Sequence, residues 1–157
     1  MPKPNELYDQ DFLLWTKEQA TALRRATDSN LPLDWGNLAE EIESLGASQR
    51  AELNSQVRRV LRHLFKLEAS PAVDPRVGWR ATVRDARIEI EDLLEVSPSL
   101  RRELDAVVKR QSTSAAKLAS HDLEDHGEPA DAVWARLESG GFTAEQVLGD
   151  WFPEASS

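Results

Sequence analysis

The sequence predicts an all-α, single-domain helical bundle of about five main helices plus short C-terminal helices. Three observations carry that prediction. Apolar residues recur with a period near 3.6 and none of the periodic segments follows the period of two that a strand would show. Seven glycines and eight prolines fall mostly between those segments, where they break helices. A chain of 157 residues with 40% hydrophobic content suits one core over residues 1–157, burying about two thirds of the surface exposed when unfolded.

The first helix is expected from Tyr8 to Thr27, with Phe12, Trp15, Gln19, Ala22, Leu23 and Ala26 on its core face. "SNLPLDWGN" breaks it, and Asp34 is placed to cap the next helix. That helix has the stripe Leu38, Ile42, Leu45 and reaches Gly46, which either ends it or is tolerated inside a longer one. The pattern resumes with Leu53, Val57, Val60, Leu61, Leu64 and Leu67. After "ASPAVDPRVG", the residues Trp79, Val83, Ala86, Ile90, Leu93 and Leu94 define a further helix.

In "VSPSL", Ser97 reads as a cap and Pro98 as the first helical position, where a missing N–H is harmless. A long helix follows on Leu100, Leu104, Val107, Gln111, Ala115 and Leu118. After "HGEP" come a short helix with Val133, Trp134 and Leu137, an "SGG" turn, and a last turn opened by Thr143 with Gln146 three residues on.

Charge and composition remove several classes of function. With no cysteine, disulfides, thiolate metal sites and cysteine nucleophiles are excluded. No stretch of about 18 apolar residues exists and "MPKPNELYDQ" lacks a signal-like pattern, so the expectation is a cytoplasmic protein with no membrane segment. The formal net charge is -9, yet residues 58–87 carry eight basic side chains against three acidic ones. Residues 120–157 carry nine acidic side chains against Arg136 alone. Opposite local charges in one small protein can satisfy each other, which argues against nucleic acid as a partner.

"LYDQDFLLW", "LAEEIESLG", "LRHLFK", "GWRATVRDARIEIEDLLEVSPSLR" and "FTAEQVLGDWFPE" follow in an order and spacing that resembles domain-of-unknown-function family twenty-nine, a bacterial family found mainly in cyanobacteria and proteobacteria. The resemblance covers about residues 7–154 and implies an all-helical bundle. It implies no activity.

Catalytic and metal motifs are missing. None of His63, His121 and His126 has a glutamate three residues before it, as the paired Glu-x-x-His sites of di-iron bundles require. "HDLEDH" could hold a divalent ion weakly, but reads first as a solvated acidic helix end. G-x-S-x-G and phosphate-loop patterns are absent as well. No cofactor and no metal are therefore expected.

Counting 100° per residue puts His63 at the edge of its helix's apolar arc and Glu41 at the edge of the Leu38 stripe. The same count sets Arg80, Arg84 and Arg87 beside the Trp79 stripe, in a row that begins at Arg76. Boundary charges in a bundle mostly bridge neighbouring helices, and Glu41 is the best-placed carboxylate for the arginines. Two functions fit. One is a noncatalytic interaction bundle, with another protein or a second copy as partner. The other is a ligand-binding or enzymatic bundle in which Glu41, His63, Trp79, Arg80, Arg84 and Arg87 line a polar cleft for an anionic small molecule. The missing motifs weigh toward the first and against an enzyme.

Overall fold

The computed structural model describes residues 2–155, whose regular structure is all helical, with no strand among them. The α-helices are α1 Pro4–Gln10, α2 Phe12–Arg25, α3 Trp35–Ala69, α4 Arg76–Val96, α5 Leu104–Asp125, α6 Asp131–Glu138 and α7 Ala144–Leu148. Short 3-10 turns cover Ala26–Asp28 and Pro98–Glu103. No described helix is long and apolar enough to cross a membrane. Contacts gather into two units: residues 1–52 with 92–102, and residues 53–91 with 103–157.

In the first unit, the single N-terminal helix expected from the sequence is two. Asp11 adopts an extended backbone (φ -157°), ends α1 and caps α2, its Oδ1 accepting from Leu14 N at 2.9 Å. The buried face of α2 is Leu13, Thr16 and Ala20. Phe12 and Trp15, expected to face the core, instead pack with Tyr8 as a partly exposed aromatic cluster, with centroids 5.0 to 5.8 Å apart.

Ser97 also acts differently from its expected role. Its hydroxyl accepts from Leu13 N at 3.1 Å, so it caps α2 and not the helix that follows it. The Asp11 carboxylate in return receives Ser99 N at 2.7 Å and Ser99 Oγ at 2.9 Å. This reciprocal capping joins "DQDFLLW" to "SPSL" and satisfies the amides of Leu13, Leu14 and Ser99. Pro98 opens a 3-10 turn, and α5 starts only at Leu104.

Gly46 lies inside α3, which runs unbroken from Trp35 to Ala69. A Cβ at position 46 would stand 2.5 Å from Thr16 Oγ1 and 3.1 Å from Leu13 Cδ1, so glycine is what lets α2 approach so closely. The face of α3 buried there is Ala39 and Gly46, whereas Leu38 and Leu45 are exposed. Asp34 caps the helix as expected, Asn37 N donating to its Oδ1 at 3.2 Å.

The second unit carries the larger core. Leu53, Val57, Val60, Leu61, Leu64, Phe65 and Leu67 of α3 are buried, as are Val83, Ala86 and Ile90 of α4. From α5 come Val107, Val108, Ala115, Ala116, Ala119 and Leu123, and beyond it Val133, Phe142 and Val147. The "SGG" turn uses left-handed backbone at Gly140 (φ 110°) and Gly141 (φ 71°), which L side chains rarely adopt. Thr143 and Gln146 form the expected capping box at 3.1 and 2.9 Å.

Candidate functional site

Three segments of the second unit surround a cleft of about 800 Å³: the end of α3, the start of α4 and the end of α5. The loop between α3 and α4 forms one wall with Pro71, Ala72, Asp74 and Pro75. That wall is pinned at both ends. Ser70 Oγ accepts from Ala72 N and donates to Glu128. Arg76 is buried and donates to Ser70 O at 3.1 Å and Leu67 O at 2.8 Å, satisfying carbonyls at the end of α3.

Trp79 of α4 supplies the aromatic side of the cleft and Leu123 of α5 an apolar one. Lys66 is buried at its edge, with Nζ 4.8 Å from the Trp79 ring centroid and 3.2 Å from Asp122 Oδ2. Arg62 grips the same carboxylate in bidentate fashion, Nε and Nη2 each donating at 2.7 Å. Burial opposes the charge on Asp122, but the Arg62 hydrogen bonds and the Lys66 ammonium outweigh it and hold the carboxyl below its ordinary range. The Asp122 hydrogen bond in turn raises Arg62. His126 and Glu128 complete the lining.

The structure distributes the six residues expected to share a cleft. Trp79 is in the one just described. His63 lies one turn along α3 from Arg59, its half-buried ring held with Nδ1 at 2.9 Å from the Arg59 carbonyl. A carbonyl only accepts, so Nδ1 bears the hydrogen in that bond. Burial lowers the His63 pKa, and the charges of Lys66 and Arg62 add to that effect. Glu41 is exposed and belongs to the first unit.

Arg80, Arg84 and Arg87 surround the Phe152 ring, at 6.0, 5.3 and 4.8 Å from its centroid. Arg87 is buried and its partners are three backbone carbonyls: Val147 at 2.8 Å, Gln146 at 2.9 Å and Trp151 at 2.6 Å. The partner expected from the sequence was Glu41. Arg80, Arg84 and Arg87 therefore pin the "DWFPE" segment and the turn before it to α4, while Arg76 serves the end of α3.

Arg62 and Lys66 were not singled out by sequence reasoning, and Asp122 entered only as a weak candidate ion ligand in "HDLEDH". Their signal was present: Arg62 and Lys66 stand four apart in "RHLFK", and Lys66 interrupts an apolar run, while Asp122 lay in the acidic "HDLEDH". Its carboxylate is taken by two cations, which leaves that segment poorly suited to a divalent ion. Among the described residues, no three His, Asp or Glu side chains converge as a metal-binding group.

The fold is shared with a crystallised alpha-helical protein of unknown function from Rhodospirillum rubrum, with a TM-score of 0.65 at 23% identity over 90% of this chain and 88% of that one. No curated protein matches the chain. The family described as Domain of unknown function DUF29 matches residues 7–152, which include both arms of the reciprocal cap, the pinned arginine row and the whole cleft. The chain belongs to the DUF29 family.

Proposed function

We propose that the chain is a small-molecule-binding helical module whose ligand lies in the Trp79 cleft. The observation that carries this reading is the convergence, in one cleft of about 800 Å³, of an indole wall and the buried Lys66 ammonium. Largely apolar clefts with a few converging polar groups are the usual form of such sites. The ligand would lay a planar apolar face on Trp79 and offer a hydrogen-bond acceptor to Lys66. Asp74, Asp122 and Glu128 line the cleft beside Lys66, so a ligand with one acceptor group suits the local charge better than a polyanion. Binding is favoured over chemistry because Asp122 is held by Arg62 and Lys66, and Glu128 by Ser70.

The test is a thermal-shift screen of metabolites on the wild-type chain, with Trp79→Ala and Lys66→Met run in parallel. A true ligand at a hundred times its Kd adds about 2.7 kcal/mol of stability. That gain should shrink in both variants. If every stabilising compound works equally well on both variants, ligand binding at this cleft is rejected.

A further inference from the structure

The apolar residues of the first half of α3 divide between two faces. Ala39 and Gly46 are buried, and Gly46 is the point where α2 comes close. Leu38 is 40% exposed and Leu45 48% exposed, with the half-buried Ile42 between them. The spacing of four and three puts these three side chains on one line along the helix. The loop leading into α3 adds Leu31 and Leu33, both exposed. Scattered exposed leucines need no explanation, but three apolar side chains aligned along one helix face, preceded by two more exposed in the loop, have the form of a docking face.

Charge identifies what fits there. Between Arg25 and Arg50 the sequence has no lysine or arginine, and it carries Asp28, Asp34, Glu40, Glu41 and Glu43. Asp34 and Glu41 fall on the solvent edge of the stripe, about 40° to 60° from Leu38 at 100° per residue. Glu43 lies toward the other side, where Arg24 pairs with it. A second copy docking here would set acidic edges against each other, and an anionic lipid surface would be repelled as well. A basic helix meets both the leucines and the carboxylates. We infer that the Leu38, Ile42, Leu45 stripe of α3 is a docking surface for a basic amphipathic helix of another protein, which presents apolar residues at i, i+4 and i+7 flanked by lysine or arginine.

The experiment titrates the full chain with two synthetic helices of equal length and identical leucine stripe, one Leu/Lys and one Leu/Glu, followed by amide NMR shifts. The Leu/Lys helix should shift residues 34–49 and bind at least about tenfold more tightly than the Leu/Glu helix. That preference should shrink as salt screens the charges. Leu38→Glu with Leu45→Glu should weaken the Leu/Lys helix by about tenfold or more, Glu41→Lys by a smaller factor, and Trp79→Ala not at all. Because the substituted side chains are exposed, circular dichroism should show the parent's helicity. If the leucine variant unfolds, the two-helix comparison on the wild-type chain decides. Equal binding of the two helices, or shifts centred elsewhere, overturns the inference. A wild-type dimer in sedimentation equilibrium that Leu38→Glu with Leu45→Glu abolishes would overturn it too, because the occupant would then be a second copy.

Discussion

Two residues of the second unit, His63 and Asp122, tie its stability to pH, and both act in the same direction. His63 is held below the ordinary value of 6.5, mainly by burial and secondarily by Lys66 and Arg62. It therefore binds a proton more weakly when folded than when unfolded. As pH falls into the ordinary histidine range, the unfolded chain takes up the proton first and stability is lost. Asp122 is also lowered, so its contribution is present above the ordinary aspartate range and disappears only as pH falls through the folded value. The two windows separate. Urea unfolding from pH 7.5 to 4.5 should show stability declining below about 6.5, and His63→Gln should flatten that decline. Asp122→Asn should lower stability across the range by about 1 to 3 kcal/mol, less than for a fully buried pair because Arg62 is partly exposed. An unchanged slope in His63→Gln would show that the ring is as solvated as in the unfolded chain.

At the scale of elements, the arginines and one glycine set where the chain can go. Arg87 bonds three carbonyls near the C-terminus, and lysine, with a single ammonium, cannot reproduce a planar fork across them. Arg87→Lys should therefore destabilise by about 1 to 3 kcal/mol in chemical denaturation, whereas Arg84→Ala, at an exposed position, should change stability by under about 1 kcal/mol. Equal small losses would mean that the carbonyls are satisfied as well by water. Gly46→Ala sets two known effects against each other. Alanine gains about 1 kcal/mol of helix propensity, but its Cβ would press on Thr16 Oγ1, and overpacking costs about 1 to 3 kcal/mol. The net should be destabilising, and Thr16→Ala should relieve it, giving a coupling above about 0.5 kcal/mol in a double-mutant cycle.

The same site shows what the sequence could and could not convey. Periodicity marked the α3 core from Leu53 to Leu67, because one uninterrupted face is buried there. It misplaced the face near Leu38 because small residues, Ala39 and Gly46, form the contact, and a pattern built on large apolar side chains cannot register them. Trp79 was legible as a cleft candidate from its stripe, but Lys66 was not, since a lysine in an apolar run looks the same whether its ammonium reaches water or an aspartate.

Over the whole molecule, the two units differ in how much large apolar surface they bury. The first relies on Leu7, Leu13, Leu94 and Leu100, with Ala20, Ala39 and Gly46 filling the close contacts. The second buries Phe65, Phe142, six leucines, Ile90 and a series of valines. Burial of large side chains is the main favourable term, at about 1.5 to 3 kcal/mol each. The first unit should accordingly open locally at a lower free energy than the second. Native-state hydrogen exchange measures this amide by amide. We expect the amides of α2 to exchange through an opening at least about 2 kcal/mol easier than those of residues 57–67 and 107–123. The decisive place is α3, which belongs to both units, dividing between Glu52 and Leu53. Residues 47–58, on either side of that boundary, contain neither glycine nor proline, so a step in protection between them has to come from tertiary burial. Uniform protection along α3 would mean that the helix opens as one piece and that the first unit gains its stability from the continuous backbone rather than from its own lean core.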